Sequence, residues 1–306
     1  ILIVGCPCAF ILATPTAVVS ALGNASKNGL LIKGGDILEG SSRISAVLFD
    51  KTGTLTTGKA KVSAVDSLNG AEKDFILSAA ASAEKYSSHP LARAIVKEAE
   101  QRQLKLSTPQ HYKDLPGMGV EATIRGKKYT VGSLPEYLQH SLSEEMRPEN
   151  KAVAVWEDEQ PIGLIYLEEE LRPGVHTVAK QLHALGIAKI QLLTGDAQKF
   201  ANKIAAKAGI GEVFSNILPE QKLELVKKLQ KDGHKVAMVG DGINDAPSLA
   251  AADLGISMGA MGTKAALEAA DVALMGDDIS KVPYLLQLGK LTVRTIRFNI
   301  LFAVVF

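Results

Sequence analysis

Cysteine is nearly absent: Cys6 and Cys8 are the two that 306 residues contain. That scarcity excludes a disulfide framework and a zinc finger built on four cysteines. An excess of either charge is missing too. Lys and Arg number 34 against 33 Asp and Glu, for a formal net charge of +1, and no basic stripe points to nucleic acid. Sustained internal repeats and low-complexity linkers are also lacking. From Ile1 to about Leu22 there is no charged side chain, and the run is long enough for a bilayer crossing of about 20 residues. A signal peptide is the competing reading, but no basic flank precedes the run and no small-residue cleavage site follows it. A transmembrane helix is therefore expected over residues 1–33, counting its cytoplasmic extension.

What is present centres on Asp50. The apolar run Ala46-Val47-Leu48-Phe49 leads into Asp50-Lys51-Thr52-Gly53-Thr54-Leu55-Thr56. A carboxylate at the carboxyl end of a buried strand can attack a phosphoryl group and carry it covalently, provided a cation and loop amides neutralise the gathering charge. Lys51 offers positive charge next door, and Gly53 with its small neighbours lets backbone amides approach phosphate oxygens. Two further loops share the design. Ile190-Gln191-Leu192-Leu193 runs into Thr194-Gly195-Asp196, and Val236-Ala237-Met238-Val239 runs into Gly240-Asp241-Gly242-Ile243-Asn244-Asp245-Ala246-Pro247. In a parallel sheet, sites form outside the carboxyl ends of the strands. Asp50 and Asp241 can then hold Mg2+, which takes oxygen ligands and bridges carboxylates to substrate phosphate. Taken singly, each carboxylate also reads as a helix cap or a solvated turn.

Cys6-Pro7-Cys8 interrupts the apolar run. Pro7 removes a backbone donor and frees carbonyls, and two thiolates beside such a break make a soft-metal site. Cysteines packed around a kink are the plainer alternative.

The heptapeptide at Asp50 resembles the phosphorylation signature of P-type ATPases. The order Cys6-Pro7-Cys8, Thr14-Pro15-Thr16, Lys33-Gly34-Gly35-Asp36 and then Asp50 is similar to their heavy-metal-transporting branch, and the resemblance extends across nearly the whole chain. It implies the backbone carbonyl of Thr52 as a third Mg2+ ligand, a hydrogen bond from Thr194 to the phosphoryl oxygens, Asn244 and Asp245 bracing the Mg2+ loop, and Lys222 contacting phosphate. It makes Cys6 and Cys8 ligands of the transported ion. In the broader haloacid-dehalogenase-like superfamily the residue two after the nucleophile is commonly a second Asp, a general acid/base. Thr52 cannot transfer that proton near neutral pH, so an aspartyl phosphate should persist.

Residues 58–170 interrupt the three-loop pattern. Ala71 to Glu84 and Leu91 to Gln103 have helical apolar spacing; Gly119 to Thr130, Lys151 to Trp156 and Pro161 to Leu167 alternate like antiparallel strands. In the resembled family such an insertion is the ATP-binding domain. His89 of Ser88-His89-Pro90, Gly117 and Gly119 of Pro116-Gly117-Met118-Gly119, and Glu84, five residues before His89, match its nucleotide-contacting positions; Gly132 would allow close approach. Ser88, Ser133 and Lys264 depart from the family's usual residues.

The fold class expected is α/β: a Rossmann-like, haloacid-dehalogenase-type phosphorylation domain over residues 34–57 and 171–283, an inserted α+β nucleotide-binding domain over 58–170, and flanking transmembrane segments over 1–33 and 284–306. Strands are expected near 46–49, 190–193, 236–239, 254–257 and 271–275, with helices from Pro173, Ala197, Pro219 and Asp245. Arg294 and Arg297 read as cytoplasmic-side flanks of the second membrane helix. The resemblance implies ATP-driven export of a transition-metal ion by a multi-pass protein of the plasma membrane, with its catalytic domains cytoplasmic. An actuator domain carrying Thr-Gly-Glu and further transmembrane helices of the same polypeptide are implied as partners. No Thr-Gly-Glu occurs in these residues, so the segment alone is expected to bind nucleotide without transporting. Ser88-His89-Pro90-Leu91-Ala92 leans toward Zn2+, Cd2+ or Pb2+, and Ala13-Thr14-Pro15-Thr16 toward Cu+. A soluble phosphatase and a passive metal-binding membrane protein stand as readings of other classes.

Overall fold

The computed structural model describes residues 8–115, 117–144, 146, 151–242, 245–258 and 268–305, with side chains excepted for 8–13 and 303–305. The elements in chain order are α1 (Cys8–Lys27), β1 (Leu30–Ile32), α2 (Gly35–Ser41), β2 (Ala46–Asp50), β3 (Thr56–Ser67), α3 (Lys73–Ala83), α4 (Pro90–Gln101), β4 (His111–Leu115), β5 (Gly119–Ile124), β6 (Lys127–Ser133), α5 (Glu136–Ser141), β7 (Lys151–Glu157) and β8 (Gln160–Leu171). They continue with α6 (Val175–Ala184), β9 (Lys189–Leu193), α7 (Gln198–Ala208), β10 (Glu212–Phe214), α8 (Pro219–Lys231), β11 (Val236–Gly240), α9 (Ala246–Ala251), β12 (Leu254–Met258), β13 (Val272–Leu274) and α10 (Lys281–Val305). Two compact units result, one running to Thr57 and resuming at Leu171, the other from Gly58 to Glu170.

In the first unit a sheet of order β1-β13-β12-β11-β2-β9-β10 is parallel except for β1, which pairs antiparallel with β13. Every residue of β2 and β11 is buried, as strands covered on both faces require. Alternation divides them: Val47, Phe49, Ala237 and Val239 join Val178 and Leu182 of α6 and Leu285 and Leu286 of α10 in one core. Ala46, Leu48, Val236 and Met238 turn to Val226 and Leu229 of α8 and Leu249 of α9. Because β2 lies between β11 and β9, with Asp50 opposite Leu193 and Phe49 opposite Val239, three loops leave the sheet side by side at its carboxyl edge.

In the second unit a six-stranded antiparallel sheet, β3-β8-β7-β6-β5-β4, buries one face against α3 and α4 through Ile76, Leu77, Ala80 and Ile95. The stretch Gly119 to Thr130, expected to be one strand, is instead the hairpin β5–β6. Arg125 and Gly126 at its tip both take positive φ, 53° and 81°, as a tight two-residue hairpin turn demands.

Transmembrane segments are expected over 1–33 and 284–306. Among the described residues no helix is long and apolar enough to cross a membrane. Residues 1–7, the start of the first apolar run, lie outside the described residues. The later turns of α1 carry Ala21 and Ala25 into the core of the first unit, and α10 buries Val282, Leu285, Leu286 and Ile296. Lys290, Arg294 and Arg297 also divide the apolar residues of α10. The helix packs closely on α2, since a Cβ at Gly289 would sit 2.0 Å from Ser41 Oγ.

Candidate active site

Asp50 ends β2 and is 6% exposed. Lys222, in the first turn of α8, places Nζ 2.5 Å from Asp50 Oδ1 and 2.8 Å from Asp245 Oδ1. Pro219 starts that helix and Gln221 Oε1 accepts the Leu218 N–H at 2.7 Å, which fixes the turn that aims Lys222 inward. Burial, and then the neighbouring Asp245, lift Asp50 from its ordinary 3.8 to about 7, with Lys222 opposing both. Burial raises Asp245 as well. Burial alone would pull Lys222 down, but Asp50 and Asp245 more than offset it and hold the ammonium above its usual value.

The loop after Asp50 is a single irregular turn. Gly53 takes φ 72°, and a Cβ there would lie 3.0 Å from Asp241 Oδ2, so the β11 loop comes directly against it. Thr56 Oγ1 accepts the Gly53 N–H at 3.2 Å and donates to the Lys51 carbonyl at 3.1 Å. Lys51, expected to supply charge beside Asp50, pairs with Asp196 Oδ2 at 2.5 Å; the cation on Asp50 is Lys222. Thr194 is buried, its Oγ1 accepts the Asp196 N–H at 3.1 Å, and Gly195 follows without a strained backbone. Thr52 is exposed and extended, with φ −74° and ψ 128°.

Among the described residues of these loops, Thr54 Oγ1 and Asp245 Oδ2 are buried polar atoms without a hydrogen-bond partner. A ligand with both an oxyanion and a cation would satisfy them, since a buried unpaired polar group costs about 1–3 kcal/mol. Three carboxylates, Asp50, Asp241 and Asp245, stand against Lys222, and that excess of negative charge fits a divalent cation. Among the described residues no group of three or more His, Cys, Asp or Glu forms a protein cage for a metal. Mg2+ does not ask for one, because it keeps waters and substrate phosphate among its ligands.

In the second unit Glu84 follows α3, is 7% exposed, and has Oε2 buried without a partner. Burial raises it to about 7, with Asp114 adding to the shift and a hydrogen bond from Ser87 opposing it. His89 caps α4: the Leu91 N–H donates to Nδ1 at 3.2 Å, which puts the ring proton of the neutral side chain on Nε2. Gly119 and Gly132 are opposite one another in β5 and β6. A Cβ on Gly132 would meet the Met118 carbonyl oxygen at 1.8 Å, and one on Gly119 the Val131 oxygen at 2.1 Å. Both are therefore required by backbone packing within the hairpin. Gly117, with φ 74°, faces open space instead.

A haloacid dehalogenase-like hydrolase profile matches residues 44–253. A probable cadmium-transporting ATPase of Staphylococcus aureus (strain MRSA252) is 41% identical over 99% of this chain and 44% of its own length. The catalytic domain of the CPx-ATPase CopB-B aligns with TM-score 0.69 and 32% identity over 87% of this chain and 98% of that domain. The chain belongs to the heavy-metal P-type ATPases, within the haloacid dehalogenase-like hydrolases. A zinc-transporting PIB-type ATPase in its E2·Pi state likewise matches this P-type chain with TM-score 0.89 and 39% identity, over 99% of it and 50% of the solved protein. A manganese-exporting P-type ATPase of Mycobacterium bovis is 42% identical over 97% of it and 43% of that relative. The chain thus spans less than half the length of these curated relatives.

Of the positions singled out in the P-type motifs, Cys6, Asn244 and Lys264 lie outside the described residues, as does the side chain of Cys8. Sequence reasoning missed Thr56 and Arg172. Arg172 Nη2 donates to the Gly53 carbonyl at 2.7 Å and Nε to the Thr54 carbonyl at 3.0 Å. A Thr at the end of the signature could have been found from its spacing to Lys51; nothing in the local sequence marks Arg172.

Proposed function

We propose that this chain is the ATP-hydrolysing part of a membrane exporter of divalent transition-metal ions, with its catalytic units on the cytoplasmic side and Asp50 as the residue phosphorylated in each cycle. The observation that carries the reading is the buried Asp50 carboxylate at a parallel strand end, held by Lys222, which also binds Asp245.

An Asp50 oxygen attacks the γ-phosphorus of ATP in line with the bond to the β,γ-bridging oxygen. That bond breaks, and ADP leaves with the electron pair. Lys222 offsets charge on the transferred group, Thr194 and Thr54 offer hydroxyl donors, and the Lys51–Asp196 pair anchors one loop to the next. Asp50, Asp241 and the Thr52 carbonyl would hold Mg2+, which supplies neutralisation of the phosphoryl oxygens when bound. Asn244 and Asp245 steady the Asp241 loop. Thr52 offers no proton transfer near neutral pH, so the acyl phosphate outlives the transfer step and can be coupled to a change of shape. ATP is held in the second unit by Glu84, His89 and the backbone around Gly117, Gly119 and Gly132. The cargo ion is held by Cys6 and Cys8, whose thiolates suit soft or borderline ions.

The relatives named for cadmium, zinc and manganese support a divalent cargo over monovalent copper. The test is ATP hydrolysis by the full-length protein in lipid vesicles with Cd2+, Zn2+, Mn2+ or Cu+ added singly. Stimulation by divalent ions supports the assignment; stimulation by Cu+ alone overturns it.

A further inference from the structure

Arg172 is the second residue of the chain's return into the first unit, and its side chain is 11% exposed. Its backbone N–H donates to the Leu55 carbonyl at 2.9 Å, while its guanidinium takes the carbonyls of Gly53 and Thr54. Three consecutive carbonyls of the loop that follows Asp50 therefore end on one residue. On its far side Nη1 donates to the Asp277 carbonyl at 3.3 Å and lies 3.4 Å from Asp277 Oδ2. Asp277 sits at φ 55°, and its Oδ1 is buried without a hydrogen-bond partner, so this turn accepts strain and an unsatisfied oxygen where it meets the arginine.

We propose that Arg172 is a positioning residue for phosphoryl transfer, one that sets the orientation of the loop amides at Asp50 without touching the substrate. The inference rests on the reading that Asp50 is phosphorylated. In a planar trans peptide the C=O and N–H point in opposite directions. Pinning the Gly53 and Thr54 carbonyls therefore turns the N–H groups of Thr54 and Leu55 away from Arg172 and fixes where they aim. Gly53 makes such a constraint necessary, because glycine at positive φ has many alternatives open to it. A planar fork of five donors can serve several acceptors in set directions; a lysine ammonium, a point charge on a flexible stem, cannot reproduce that geometry. The Asp277 carboxylate offsets the buried positive charge and holds the fork from behind.

The test compares full-length wild type, Arg172→Gln, Arg172→Lys and Asp277→Asn for the rate of acyl-phosphate formation from γ-labelled ATP at saturating nucleotide, alongside nucleotide affinity and thermal midpoint. Arg172→Gln is expected to slow phosphorylation on the order of 10–100-fold, the cost of loop misplacement by about 1 Å, with nucleotide affinity unchanged. Arg172→Lys should remain slowed although its charge is kept, and labelling from inorganic phosphate should fall by a similar factor. A wild-type rate in Arg172→Gln, or a loss that tracks only the folded fraction, overturns the proposal. If Arg172→Gln does not fold, a wild-type rate in Arg172→Lys overturns it in the same way. Failure of the wild type itself to form an adduct would instead sink the underlying reading of Asp50.

Discussion

Lys222 Nζ serves two carboxylates at once, 2.5 Å from Asp50 Oδ1 and 2.8 Å from Asp245 Oδ1, with all three side chains buried. The lysine is thus both a candidate phosphate ligand and the counter-charge that lets two acids share a dry site. Removing one member of a buried ion cluster leaves the others uncompensated, at a cost of about 3–5 kcal/mol. Lys222→Met is expected to lower the urea unfolding free energy of the chain by about that much at pH 8. The loss should shrink as pH falls toward about 7 and level off below it, because Lys222 is what lowers the Asp50 carboxyl to that value and a protonated Asp50 needs no cation. Equal losses at pH 8 and pH 6 would contradict this.

Gly132 and Gly117 of the second unit behave differently because they are glycine for different reasons. Gly132→Ala puts a methyl 1.8 Å from a carbonyl oxygen that no rotamer change can move, so the β5–β6 hairpin must open. A destabilisation of about 3 kcal/mol is expected, at the upper end of the overpacking range. Gly117→Ala meets no atom and pays only for its left-handed backbone, about 1–2 kcal/mol. Amide exchange across Val120–Ile124 distinguishes them, rising in the first variant and staying near wild type in the second.

Nucleotide affinity is expected to depend on pH through Glu84. Burial favours its neutral form up to about 7, and a neutral carboxyl offers one donor and one acceptor, which matches the acceptor and amino group along the edge of adenine. Above that pH the donor is lost. Affinity for ATP measured by calorimetry should therefore weaken as pH rises from 6 to 8, and the dependence should flatten in Glu84→Gln. A slope of equal size in the variant would assign the effect to another group.

The central strands were legible because burial on both faces leaves short apolar runs, as in 46–49, 190–193 and 236–239, each closing on small residues and a carboxylate. The edges of the sheets were not. β4, His111–Leu115, is largely exposed and polar, so it has no alternation to read, and β1 and β10 have only three residues each. The β5–β6 reversal escaped notice because its positive-φ pair is Arg125-Gly126, without the Asn or Asp that usually marks such a turn. Apolar composition alone does not separate a membrane crossing from a buried helix. In α10 that composition serves the domain core through Leu285 and Leu286 before Lys290 breaks it. At the site, Asp50 and Asp241 announced themselves by strand-end position, whereas Arg172 acts on backbone carbonyls more than a hundred residues away and leaves no pattern.

The reading depends most on covalent chemistry at Asp50, and direct detection of it is the sharpest measurement. Full-length protein given Mg2+, cargo ion and γ-labelled ATP should yield an acid-stable, hydroxylamine-labile adduct that maps to Asp50 and is absent from Asp50→Asn. ATP turnover with no such adduct, or with label undiminished in Asp50→Asn, would contradict it.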